Sequence, residues 1–165
     1  MKPIRFTAPS VIVAFLVFIG FLATAVAEEA PSFSLPGSTG PIQLTTYRGK
    51  VIYIDFWTSW CIPCRKSFPW MNTLEERYGK EGLIIIAINV DKKREAADAF
   101  LADHPARFTV AFDPGGMVAE SYRVWTMPSS YLIDRTGRLH SVHRGFFDTE
   151  MARIESEIKQ LLNGK

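Results

Sequence analysis

Cys61 and Cys64 are the only cysteines in the 165-residue chain, and two residues separate them. That spacing lets the sulfurs bond without straining the backbone. Thiol-disulfide exchange needs a thiolate that attacks and a second thiol that releases the mixed disulfide, and the pair supplies both. An apolar, β-rich run from Val51 to Trp57 leads into it, and a helical pattern from Arg65 to Tyr78 leads away. The first cysteine then falls at a helix N-terminus, where unpaired N–H groups and the helix dipole favour a thiolate. Cys61 is thus the expected nucleophile, Cys64 the expected resolving thiol, and Cys61–Cys64 the expected disulfide. The intervening Ile62-Pro63 brings no histidine or charge. This predicts a thiolate stabilised only moderately and a relatively reducing couple. Pro63 restrains the turn and adds no donor.

Asp55 lies in the middle of the apolar run. A carboxylate there is costly unless it is partnered or protonated. Burial would raise its pKa toward the range useful for a general base. The alternative is a strand-end aspartate that reaches water. Zinc is the other chemistry open to paired cysteines, but a closed zinc site needs about four ligands. Only His104, His140 and His143 could add to the pair. His140 and His143 stand three apart on a strand and so face opposite sides. Neither a metal nor another cofactor is expected.

The flanking pattern supplies the elements that must hold these groups. Ser32 to Leu35 and Ile42 to Leu44 alternate about Pro36 to Gly40 and read as a hairpin. Val51 to Trp57 and Leu83 to Val90 are continuous apolar strands of the kind buried on both faces. A helix is expected from Cys61 to Tyr78. A second is expected over Asp91 to Asp103, with Ala96, Ala99 and Phe100 turned inward and Ala97 as a further candidate. A short strand over 108–112 and a short helix over 117–122 follow. Ser129 to Ile133 and Arg138 to Arg144 read as paired strands, and Thr149 as the cap of a last amphipathic helix. Strands alternating with helices and closing on a hairpin and helix match an α/β sandwich.

Composition is that of a globular protein, 47% hydrophobic and 22% charged. Residues 1–27 read as a secretory signal: Lys2 and Arg5, an apolar centre, then Ala25-Val26-Ala27 before Glu28. An uncleaved anchor is the alternative. Without Lys2 and Arg5 the basic count falls from 19 to 17 and equals the acidic count of 17. A neutral domain over 28–165 gives no reason to expect a nucleic-acid partner. Export places it in the periplasm or another extracytoplasmic space. There a single short-range disulfide closes too small a loop to serve mainly as a staple.

Asp55-Phe56-Trp57-Thr58-Ser59-Trp60-Cys61-Ile62-Pro63-Cys64-Arg65-Lys66 resembles the active-site stretch of thioredoxin, and Met127 to Asp134 resembles the cis-proline strand of that superfamily. Ala87 to Asp91 and Phe112 to Gly116 resemble the central insert of TlpA-like and ResA-like exported thiol-disulfide proteins. The resemblance covers residues 32–162. It implies a thioredoxin-like sandwich, a mixed sheet with helices on both faces, an N-terminal hairpin and the insert. It implies that Asp55 takes the proton from Cys64, and that Trp60, Ile62, Pro63, Met127 and Pro128 meet the substrate. The backbone beside a cis Pro128 would pair with a bound client as an added strand.

The implied activity is reduction of protein disulfides. The implied partners are client proteins with disulfides or thiols and a membrane electron donor, with the domain itself a monomer. Oxidase or isomerase activity shares the same motif. A thiol peroxidase would resemble Thr58-x-x-Cys61, but Ile54 stands where its proline would be. A copper chaperone would space its cysteines by three and add a histidine. ResA-like proteins often carry an acidic residue where this chain has Ser67, and Asn where it has Asp55. The resemblance therefore stops short of apocytochrome c specificity.

Overall fold

The computed structural model describes residues 28–164; the signal read over 1–27 lies outside the described residues. Its centre is β3, Val51–Trp57, every residue of which is buried. Alternation sends Val51, Tyr53 and Trp57 to one face of the sheet and Ile52, Ile54 and Phe56 to the other. Both faces are covered, which is why the run is apolar throughout.

β4 (Leu83–Asn89) pairs parallel with β3, and β5 (Thr109–Phe112) parallel with β4. On the other side β6 (Ser129–Ile133) pairs antiparallel with β3, and β7 (Leu139–Arg144) antiparallel with β6. The order of the mixed five-stranded sheet is β5-β4-β3-β6-β7. A separate hairpin of β1 (Ser34–Pro36) and β2 (Pro41–Gln43) precedes it.

Helices α1 (Cys64–Tyr78), α2 (Arg94–Asp103) and α4 (Asp148–Asn163) contribute to the core on the face of Tyr53 and Trp57. The hairpin and α3 (Met117–Ser121) cover the other face through Phe33, Leu35 and Ala119. Phe68 of α1 ties the first face together. Its ring lies edge-on to Trp57 and Phe100, 4.9 Å from each, and 5.4 Å from Phe108.

Three local readings need correction. α1 begins at Cys64, not Cys61, because Ile62 and Pro63 form a turn whose carbonyls accept from Arg65 and Lys66. In α2 the inward residues are Ala97 and Phe100, while Ala99 is exposed. The helix starts at Arg94 rather than Asp91. Thr149 does not cap α4. The helix starts at Asp148 after an extended Phe147, and no side chain caps it. Asp148 and Glu150 place negative charge at its positive end instead.

Candidate active site at the end of strand β3

The chain leaves β3 at Trp57 and crosses Thr58-Ser59-Trp60 to reach Cys61. That loop is pinned from β4. The Ser59 N–H and hydroxyl donate to the two Asp91 carboxylate oxygens at 2.8 and 3.2 Å. Asn89, the last residue of β4, donates its amide N–H to Asp91 at 2.8 Å and accepts from the Asp91 N–H at 3.1 Å. The Cys61 N–H closes the loop on the Thr58 carbonyl at 3.1 Å. Hydrogen bonds to a charged acceptor are the strong kind. The sequence reading missed this clamp. An Asn-x-Asp closing an apolar strand was the signal that could have found it.

Cys61 and Cys64 are bonded to each other. The Cys64 N–H, at the head of α1, points at the Cys61 sulfur from 3.2 Å. Although α1 begins later than expected, its first amide thus still serves Cys61. The same amide would stabilise negative charge on that sulfur once the bond opens. Both cysteines are buried, at 2% and 0% exposure, whereas Trp60 and Ile62 beside them are 70% and 71% exposed. Pro63 is half-buried. Ser67 is fully buried and donates to the Cys64 carbonyl at 3.2 Å.

Asp55 projects from β3 on the same face as Tyr53 and Trp57. It is 2% exposed, so it does not reach water as a strand-end residue would. Its Oδ2 is buried without a hydrogen-bond partner among the described residues. Desolvation by burial raises its pKa well above the usual carboxylate value.

The Met127-Pro128 peptide is cis. Phe56 and Ser129 are paired across β3 and β6. Pro128, just before Ser129, therefore lies at the same end of the sheet as the cysteine loop. Pro128 is buried, and its carbonyl accepts from Gly145 N–H at 2.8 Å. Half-buried Met127 packs against both halves of the core. Of the five residues expected to meet substrate, Trp60 and Ile62 are exposed and Pro128 is not. Trp125, 83% exposed, and Phe147, 59% exposed, flank the cis peptide and Gly145 and were left out of the sequence reading of the site.

The profile of the AhpC/TSA family matches residues 26–142. The thiol-disulfide oxidoreductase ResA of Bacillus thuringiensis subsp. konkukian is 33% identical over 137 residues, covering 82% of this chain and 78% of that protein. ResA of Bacillus subtilis is 31% identical over 136 residues, covering 82% and 76%. A crystal structure from Chlorobium tepidum, assigned as thiol:disulfide interchange protein DsbE, has a TM-score of 0.82 and 46% identity. It covers 83% of this chain and 97% of that one. With these relatives matched over most of the described residues and the cysteine pair bonded at the end of the central strand, the chain belongs to the AhpC/TSA family and is a thiol-disulfide oxidoreductase.

Proposed function

We propose that this oxidoreductase works as an extracytoplasmic reductant of protein disulfides. In the reduced protein the Cys61 thiolate attacks one sulfur of a client disulfide. A Cys61–client S–S bond forms, the client's own bond breaks, and the leaving client sulfur takes a proton. Asp55 as carboxylate then accepts the proton of the Cys64 thiol. The Cys64 sulfur attacks Cys61, the Cys61–Cys64 bond forms, and the second client sulfur leaves. The client has gained two electrons and the protein dithiol has lost them. A membrane-bound donor returns the dithiol to its reduced state. The domain acts as a monomer, delivered by the segment 1–27 to the periplasm or an equivalent space.

The observation that carries this reading is the buried, unpartnered Asp55 on the sheet face that also bears the cysteine pair. Desolvation raises the Asp55 pKa, the direction that suits a group taking a thiol proton. The direction is supported by Ile62-Pro63, which brings no cation to favour the reduced thiolate. The exposed Trp60, Ile62, Trp125 and Phe147 form the apolar surface that an unfolded client would meet.

Supplied reduced, the protein should cleave the interchain disulfides of insulin faster than free dithiothreitol at equal thiol concentration. Supplied oxidised, it should leave reduced ribonuclease largely unpaired. Rapid pairing of ribonuclease with no insulin cleavage would reverse the assigned direction.

A further inference from the structure

The domain over 28–165 carries as many basic as acidic residues, but the end of the sheet that bears the cysteines is not balanced. Register across the sheet puts Trp57 beside Asn89, Phe56 beside Ser129, and Ser129 beside Arg144. Four segments thus converge on the Cys61–Cys64 loop, and each brings exposed cations. Arg65 and Lys66 stand in the first turn of α1, directly after Cys64. Lys92 and Lys93 follow Asp91, whose carboxylate holds Ser59 of the cysteine loop. Arg123 opens the stretch that runs from α3 to the cis peptide before Pro128. Arg144 ends β7 in register with Ser129.

None of these six side chains makes an ion pair among the described residues. By contrast Arg77, Arg94, Arg107, Arg153 and Lys159 each meet a carboxylate within 4.0 Å. The nearest acids are already engaged within the fold. Asp91 accepts from Ser59 and Asn89. Asp113 is buried and accepts from the N–H groups of Val118 and Ala119 at 3.0 and 2.9 Å. Glu95, Glu120 and Asp148 are the exposed acids left at this end, half as many as the exposed cations. Arg123 is the sharpest case. Its φ of 54° lies in the left-handed region that favours glycine. Its N–H donates to the Glu120 carbonyl at 2.8 Å, but its guanidinium has no partner among the described residues. The exposed Trp60, Ile62, Trp125 and Phe147 lie among these cations.

We propose that this end of the domain docks acidic client segments, in which carboxylates flank the disulfide-bonded cysteine and an apolar residue lies close by. This substrate class rests on the reading of the cysteine pair as a reductant of protein disulfides. Unpaired cations around a reactive centre raise the local concentration of a negative partner and speed its encounter. The apolar side chains among them then hold the segment over the cysteines, a combination of arginine and aromatic residues common at interfaces. A basic segment is repelled from the same face. The exchange step is the one already described. The Cys61 sulfur bonds to one client sulfur, and the other leaves with the electron pair and takes a proton. Attraction between exposed charges fades beyond a Debye length, about 10 Å at 0.1 M salt, so the preference is sensitive to salt.

The test uses Cys64→Ser, which stops the reaction at the mixed disulfide. Its substrates are disulfide-linked homodimers of one short peptide, with Glu, Ser or Lys on both sides of the cysteine. Each trapping rate is divided by the rate of the same peptide with mercaptoethanol and by iodoacetamide alkylation of the same variant. Both reagents are uncharged, so differences in peptide reactivity and in the Cys61 thiolate cancel. At about 20 mM salt the Glu peptide should be trapped roughly tenfold faster than the Lys peptide, with the Ser peptide between them. At about 500 mM salt the ratio should fall toward one. Adding Lys92→Glu/Lys93→Glu should cut the low-salt ratio about threefold or more. Arg123→Gly, which suits the left-handed backbone, should cut it about twofold with no loss of stability in urea. Equal trapping of the three peptides at low salt overturns the proposal, as does a preference for Lys. A Glu preference that salt and both variants leave intact removes it from this surface. Trapping needs only the Cys61 thiolate and no particular direction of electron flow. Failed insulin cleavage would therefore strike the reductant reading, whereas equal trapping strikes the charged surface alone.

Discussion

Cys64→Ser should leave the protein covalently joined to its client. The amide at the head of α1 serves the Cys61 sulfur, so Cys61 can still attack when Cys64 is gone. Nothing then resolves the adduct. The turnover rate should fall by on the order of 10³-fold or more, with mixed disulfides visible on a non-reducing gel. Cys61→Ser should lose turnover to the same degree but trap no client, because Cys64 is fully buried at the start of the helix. Equal trapping by both variants would show that the order of the two thiols is wrong.

Asp55→Asn should separate activity from stability. The substitution keeps the shape of the side chain but removes the group that exchanges a proton with Cys64. Closure of the disulfide should slow by about 10²- to 10⁴-fold near neutral pH, the usual worth of a positioned acid or base. Stability should move the other way. Burial raises the Asp55 pKa in the folded state above its value in the unfolded chain. The unfolded chain therefore gives up this proton at lower pH than the native state. Folding is favoured fully below the unfolded carboxylate value, and that stability is lost as pH rises toward the folded value. At neutral pH Asn avoids the cost of burying an unpartnered acid. The variant should be more stable by on the order of 1–3 kcal/mol in urea, and its stability should lack that fall with rising pH. A variant both fully active and no more stable would remove Asp55 from the mechanism.

Much of the fold was legible because its strands are uniform. Val51 to Trp57 and Ser129 to Ile133 have the boundaries that apolar runs bounded by Gly, Pro and polar residues predict. The errors fall at helix starts. There a single turn of backbone, such as Ile62-Pro63, decides the matter, and side-chain type does not. In the site, the spacing of the cysteines and the place of Asp55 in an apolar run were legible, and Pro128 was legible through the family resemblance. The Ser59–Asp91 clamp was not. It joins residues 32 apart in sequence, and the pairing of β3 with β4 brings them together.

The claim that joins these points is that the Cys61–Cys64 pair donates electrons. The most direct test is its reduction potential, read from tryptophan emission against a graded glutathione or dithiothreitol buffer. A dithiol next to Ile62-Pro63 should equilibrate near the thioredoxin end of the scale, at about −250 mV or lower, and therefore require a continuing supply of electrons. A value near about −120 mV would make the pair a disulfide donor and contradict the account.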